Sequence, residues 1–190
     1  MVIKSIYFFK KIRMIIRCLR YRYKSEVASI NYVRSSLKKN TTMLDIGANK
    51  GIFSIYMSRS AGKKGKVIAF EAQPELKEYL LRIKKYFSLN NLEIINLALS
   101  SKAGTMTLRR ESVGSGSASF NFYDQDDSSI EALEIPATTL DDFLRYRNDE
   151  PISFIKCDVE GHEADVFYGA EETLKKYMPT LLFECHRSEE

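Results

Sequence analysis

Three short stretches of this chain combine acids and glycines at spacings that could do chemistry. The first is Asp45-Ile46-Gly47-Ala48-Asn49-Lys50-Gly51, an apolar run ending in an acid and then a bend bracketed by glycines. The second is Glu71, twenty residues beyond Gly51. The third is Asp158-Val159-Glu160-Gly161-His162-Glu163. Gly47 and Gly51 let the backbone pass close to a bound molecule and adopt a turn closed to other residues. A helix starting near Gly51 offers unpaired N–H groups and a positive dipole end to an anion. A carboxylate at Glu71 can accept both hydroxyl hydrogens of a ribose. Two cofactors compete on these facts, a dinucleotide and S-adenosylmethionine. The dinucleotide site wants G-x-G-x-x-G, whereas this chain has G-x-x-x-G with Ser54 where the third glycine belongs, which counts against NAD. A bend folded shut against Glu71 would overturn either reading.

The elements that must hold these groups follow from hydrophobic periodicity. Apolar strands are expected at 43–46, 66–71, 93–97, 152–157 and 180–185, with helices at 52–60, from Pro74 onward, and at 163–177. Pro74 suits a first helical turn. Thr139-Leu140-Asp141-Asp142 reads as a capping box opening a short helix to about Tyr146. Near-continuous apolar strands between amphipathic helices imply an α/β, Rossmann-like three-layer sandwich around a mostly parallel sheet. Ligands of such sheets bind beyond the carboxyl ends of the strands, which puts Asp45, Glu71, Ala98, Asp158 and Glu184 on one rim. The stretch from about 100 to 138 breaks the alternation. It holds an edge strand or hairpin at 104–110, a small-residue run with Ser117 and Ser119, the aromatics Phe120, Phe122 and Tyr123, and an acidic turn at 124–129; it is expected to be a functional loop or lid.

Charge divides the chain. Residues 1–40 carry eleven Lys/Arg against the single acid Glu26, while residues 41–190 carry eighteen against twenty-four. This separates a basic helical arm, 1–40, from a mildly acidic main domain, 41–190. Within the arm, Val2, Ile6, Phe9, Ile12, Ile16, Leu19 and Tyr23 form one helical stripe, and Ser25 can cap a second helix running to about Lys39. A basic amphipathic helix can lie on an anionic membrane, and the stripe can equally pack on the domain itself. No apolar run reaches spanning length. The three cysteines, Cys18, Cys157 and Cys185, have no ligand spacing and read as buried thiols of a cytosolic protein, and no ligand cluster demands a metal.

Leu44 to Gly51, Phe70-Glu71-Ala72-Gln73-Pro74, Thr139 to Phe143 and Ile155 to Glu163 together resemble, in order, the motifs of the FkbM family of S-adenosylmethionine-dependent methyltransferases, over about residues 41–186. The resemblance implies a class I methyltransferase fold with S-adenosylmethionine held by Asp45, Gly47, Asn49, Gly51 and Glu71, and with Ala98 bordering the adenine. It implies O-methylation of a sugar or similar small molecule in glycan or secondary-metabolite synthesis. It also implies a sheet that continues past Glu190 with a helix and strand pair. Methyl transfer needs a base for the acceptor hydroxyl, and Asp158, Glu160 and His162 are the expected catalytic set, with His186 a further candidate. The competing functions are a NAD-dependent sugar oxidoreductase and a noncatalytic module binding membrane or nucleic acid through the arm. The acidic main domain argues against a nucleic-acid partner. The expected location is cytoplasmic with peripheral membrane attachment through residues 1–24.

Overall fold

The structure is a computed structural model and describes residues 2–121, 129–147 and 151–184, with side chains from residue 8 onward. Helix α1 (Val2–Arg20) passes through a π-helical turn (Tyr21–Ser25) into α2 (Val27–Ser35). Then follow β1 (Thr42–Ile46), α3 (Ile52–Ala61), β2 (Lys66–Phe70), α4 (Pro74–Phe87) and β3 (Leu92–Ile95). After β4 (Ala98–Leu99), β5 (Gly104–Arg110), β6 (Glu131–Thr138) and α5 (Leu140–Leu144), the chain resumes as β7 (Ile152–Cys157), α6 (Glu163–Tyr168), α7 (Glu171–Tyr177) and β8 (Thr180–Phe183).

Five parallel strands lie in the order β3-β2-β1-β7-β8, as the α/β reading expects. The chain steps from β1 outward to one edge and returns to the other side of β1. That reversal opens a crevice at the carboxyl ends of β1 and β7. Successive strand residues point to opposite faces. Met43, Val67, Ala69 and Phe154 therefore pack under α1 to α4, while Leu44, Ile46, Ile68, Phe70, Ile155 and Cys157 pack under α5 to α7. Asp45 and Lys156 are register partners on the first of these faces, one residue from the crevice.

Residues 1–40 do not stand apart from the main domain. Met14, Cys18, Ile30 and Val33 are buried in the first core cluster, and the Tyr56 hydroxyl donates to the Cys18 carbonyl at 2.9 Å. The helix is pinned by Met14 and Cys18, four residues apart, so the expected stripe faces outward: Phe9, Ile16, Leu19 and Tyr23 are exposed and Ile12 is half-buried. The side chains of Val2 and Ile6 lie outside the described residues. Ser25 sits in the π turn rather than at a cap, and Glu26 takes the N-cap position before α2.

Two other expectations are corrected. The edge strand expected at 104–110 is β5, but the rest of the long excursion is no simple loop: it completes a second sheet, β4-β6-β5, in which β5 and β6 pair antiparallel from Gly104↔Ala137 to Arg110↔Glu131. Phe122, Tyr123 and residues 124–128 of the acidic turn lie outside the described residues, as do Cys185 and His186. The helix expected over 163–177 is broken at Gly169. A Cβ there would meet the Ser100 carbonyl oxygen at 2.0 Å, and α7 gains its own cap from Asp141, whose carboxylate accepts from the Glu172 and Thr173 N–H groups, each at 2.9 Å. Asp141 itself is set by Thr139, whose Oγ1 accepts from the Asp142 N–H at 2.9 Å, as the capping motif requires.

Candidate functional site

The centre of the crevice is a buried charge cluster. Asp45 is 0% exposed and accepts from the Ser54 hydroxyl of α3 at 2.5 Å. Its second oxygen has no hydrogen-bond partner and lies 3.9 Å from Lys156 Nζ. Lys156, 5% exposed, donates to the Gly47 carbonyl at 3.0 Å and pairs with Asp158 at 2.9 Å. The Phe53 ring faces the ammonium, 5.4 Å away. Burial pushes the Asp45 carboxyl upward, against the pull of Lys156 and Ser54. Burial likewise works against the Lys156 charge, but Asp45 and Asp158 outweigh it and leave its pKa above the ordinary value. The charged lysine thus joins the ends of β1 and β7. Motif spacing assigns Lys156 no role, although a lysine in an otherwise apolar strand, two residues before an acid, is a signal that it must have a partner.

The bend after β1 is shaped by left-handed residues: Gly47 at φ 72°, Asn49 at φ 46° and Gly51 at φ 73°. A Cβ on Gly47 would stand 1.9 Å from the Asp158 carbonyl oxygen, so the two loops meet backbone to backbone. Gly51 begins α3, and no side chain caps that helix. Glu71, also 5% exposed, holds the bend from the next strand: one carboxylate oxygen accepts from the Asn49 N–H at 2.7 Å, the other from the Gln73 N–H at 2.8 Å. Burial raises its pKa and the two amides oppose that rise. Each oxygen keeps a further lone pair for a ligand hydroxyl. The bend touches Glu71 without closing on it, because a cavity of about 800 Å³ remains in front, with Glu71 on its wall.

The third motif is divided by the structure. Asp158 and Glu160 line the cavity, Glu160 at φ 53°. With Glu184, expected on the same rim as Asp158, they place three carboxylates within 4.8 Å of one another. Glu163 clips this loop, accepting from the Val159 N–H at 2.8 Å, and Ser119 Oγ donates to the Glu160 carbonyl at 2.8 Å. His162 points elsewhere. It is buried, its Nε2 is 3.0 Å from Ser100 Oγ, and its ring lies against Phe120. Burial lowers its pKa, and it forms no part of the cavity wall. Its expected place in the catalytic set is therefore corrected to a packing position, because the turn at Glu160-Gly161 carries the chain away from the crevice before the histidine.

The second sheet covers the crevice. Gln73 receives the Gly114 N–H at 2.9 Å and donates to the Ser115 carbonyl at 3.0 Å. This fastens the small-residue run beside Asn49, with Gly116 on the cavity wall. Buried Arg110 anchors the sheet through Glu75 and Glu131, each at 2.8 Å. Its hydrogen bonds hold Glu75 down to about 2. This pairing therefore contributes fully above the ordinary carboxylate range and is lost as pH falls toward 2, with a modest effect because Glu75 is half exposed.

The residues present fit an adenosine donor bearing an amino-acid tail. Ala98, Leu99, Leu108 and Phe120 give the cavity an apolar side, Glu71 an acceptor pair, and the open start of α3 an anion site. Asp45, expected among the donor's ligands, is sealed from the cavity and acts on the bend through Ser54 and Lys156. Asp45 and Gly51 shape the bend from behind rather than lining the cavity.

Known proteins resemble this chain in sequence and in fold. The model of the methyltransferase FkbM domain matches residues 45–190. Methyltransferase sdnD of Sordaria araneosa is 27% identical over 180 residues, covering 80% of this chain and 69% of that protein. The crystal structure of methyltransferase FkbM from Methylobacillus flagellatus KT superposes with a TM-score of 0.56 at 16% identity, a likeness of fold. It matches 85% of this chain, which spans 35% of that protein's length.

Proposed function

The chain belongs to the FkbM family of S-adenosylmethionine-dependent methyltransferases, and we propose that it methylates a hydroxyl of a sugar or related small molecule. The observation carrying this reading is the shared wall of Glu71, Ala98, Asp158 and Glu160 around one cavity at the strand-order reversal. S-adenosylmethionine, when bound, supplies a methyl group made electrophilic by a sulfonium. Asn49, Glu71 and Gln73 would hold the ribose end, and the first turn of α3 would meet the carboxylate of the amino-acid tail. The carboxylates of Asp158, Glu160 and Glu184 favour positive charge at the reaction centre. Asp158 orients the acceptor hydroxyl and takes its proton at Oδ1, since Lys156 occupies Oδ2. Titration calorimetry with S-adenosylmethionine, S-adenosylhomocysteine and NAD separates the candidate activities. Saturable heat is expected from the first two alone, and binding of NAD alone would make the protein an oxidoreductase. Asp158→Ala is expected to lose most turnover while keeping donor affinity; unchanged turnover would remove Asp158 from the mechanism.

A second feature of the same reading is attachment to an anionic membrane surface. Phe8, Phe9, Ile16 and Leu19 are exposed along α1, Lys10, Lys11, Arg13 and Arg20 flank them, and no acid occurs before Glu26. This combination is what an interfacial helix needs. No described helix is long and apolar enough to cross a membrane. Deleting the helix would also strip Met14 and Cys18 from the core, so the informative variant is the double substitution Phe8→Glu, Leu19→Glu on the exposed face. Flotation is expected with vesicles of phosphatidylcholine containing phosphatidylglycerol, and its loss in the variant. Equal flotation with phosphatidylcholine alone would contradict the electrostatic part.

A further inference from the structure

A second cavity, about 300 Å³, lies between α1 and α4. Its wall carries Lys10, Arg13 and Arg17 from α1, Lys50 from the glycine bend and Arg82 from α4, and not one carboxylate. Among the described residues, none of these five cations forms an ion pair. Tyr79 adds a hydroxyl to the same wall, and the Arg82 guanidinium lies over its ring, 6.0 Å from the centroid. Like charges drawn together around a concave surface repel one another, and Lys50 bears the mark: burial, and then Arg17, hold its pKa below the ordinary lysine value. Lys10, Arg13 and Arg82 are exposed and Arg17 and Lys50 half-buried, so the cluster is open to a multivalent anion whose charge would offset that repulsion. Guanidinium groups match phosphate oxygens two at a time, and a lysine adds a point charge.

The place of this cluster decides what the anion belongs to. Arg13, Arg17 and Lys50 line both this cavity and the larger one where the donor fits. A molecule holding its phosphate between α1 and α4 can therefore extend its other end toward Asp158 and Glu160. We infer that the cleft between α1 and α4 binds a phosphate or pyrophosphate group carried by the methyl acceptor, so that the acceptor is a phosphorylated compound such as a sugar diphosphate. This deepens the methyltransferase reading and rests on it.

The test uses the full chain and inorganic pyrophosphate. Saturable calorimetric binding is expected, weakening as salt rises, and it must persist when S-adenosylhomocysteine is saturating, because donor and acceptor bind together. Lys10→Gln and Arg82→Gln, whose side chains line only the smaller cavity, are each expected to weaken pyrophosphate roughly tenfold. No pyrophosphate binding, binding indifferent to both substitutions, or displacement by S-adenosylhomocysteine would each overturn the proposal; the last would give the cations to the donor's carboxylate. Uridine diphosphate and farnesyl diphosphate then distinguish the two sources. Tighter binding of the nucleotide supports a soluble sugar nucleotide, and tighter binding of the isoprenoid supports a lipid-linked sugar. Failure of S-adenosylhomocysteine to bind strikes the methyltransferase reading itself, whereas failure of pyrophosphate alone strikes only this inference.

Discussion

Gly47→Ala is expected to abolish methyl transfer and to destabilise the fold by about 4 kcal/mol. The added Cβ would stand 1.9 Å from the Asp158 carbonyl oxygen and 2.9 Å from its carbon. Those are backbone atoms, fixed by the Asp158 N–H donating to the Ile46 carbonyl at 3.1 Å, so neither loop can give. Relief requires separating the carboxyl ends of β1 and β7, which is where Lys156 bridges Gly47 and Asp158. Gly51→Ala makes the contrast. It has the same sign of φ, 73°, but its Cβ would clash only with the Leu80 side-chain tip, at 2.7 Å, with Ile83 and Ser54 at ordinary contact distance. A methyl tip can move, leaving mainly the left-handed strain of about 1–2 kcal/mol. Denaturant unfolding and donor titration of the two variants check this ordering; equal effects would show that conformational freedom alone explains both glycines.

Lys156→Met is the second large effect. It removes the only ion-pair partner of Asp45 among the described residues, and Asp45 is fully buried. An uncompensated buried carboxylate costs about 3–5 kcal/mol. The remedy open to the protein is to protonate Asp45, whose pKa burial already raises. A group with a raised folded pKa is relatively stabilised at low pH, so the stability deficit of Lys156→Met should shrink as pH falls. The double variant Asp45→Asn, Lys156→Met should recover much of the loss at neutral pH without restoring activity, because Asp158 has lost the ammonium that orients it. Unfolding followed across pH for both variants measures this. A deficit that is flat with pH and unrelieved by Asp45→Asn would mean that Lys156 contributes packing rather than charge.

The parts of this site legible in the sequence are those fixed by short-range grammar. An acid closing an apolar run, glycines at a bend and an acid ending the next strand place Asp45, Gly47, Gly51 and Glu71 without knowledge of the partners. Lys156 was not legible as a functional group because its meaning lies across the sheet, in register with Asp45. His162 was misplaced because sequence adjacency to Asp158 and Glu160 does not reveal the left-handed turn that points it at Ser100. The orientation of α1 was hidden for a similar reason. Periodicity finds a stripe, but burial of Met14 and Cys18 chose the opposite face for the core. The strand β6 escaped because its pairing with β5 bridges a long intervening segment, and the split of α6 from α7 depends on Ser100 and Asp141, both remote in the chain.

The most direct measurement is a crystal structure of the full chain grown with S-adenosylhomocysteine. Adenosine is expected in the larger cavity, its ribose hydroxyls within hydrogen-bond reach of Glu71 while the Asn49 and Gln73 amides stay on the same carboxylate, and its base beside Ala98 and Leu99. Adenosine bound at any other place, or a crevice that remains empty at saturating ligand, would contradict it.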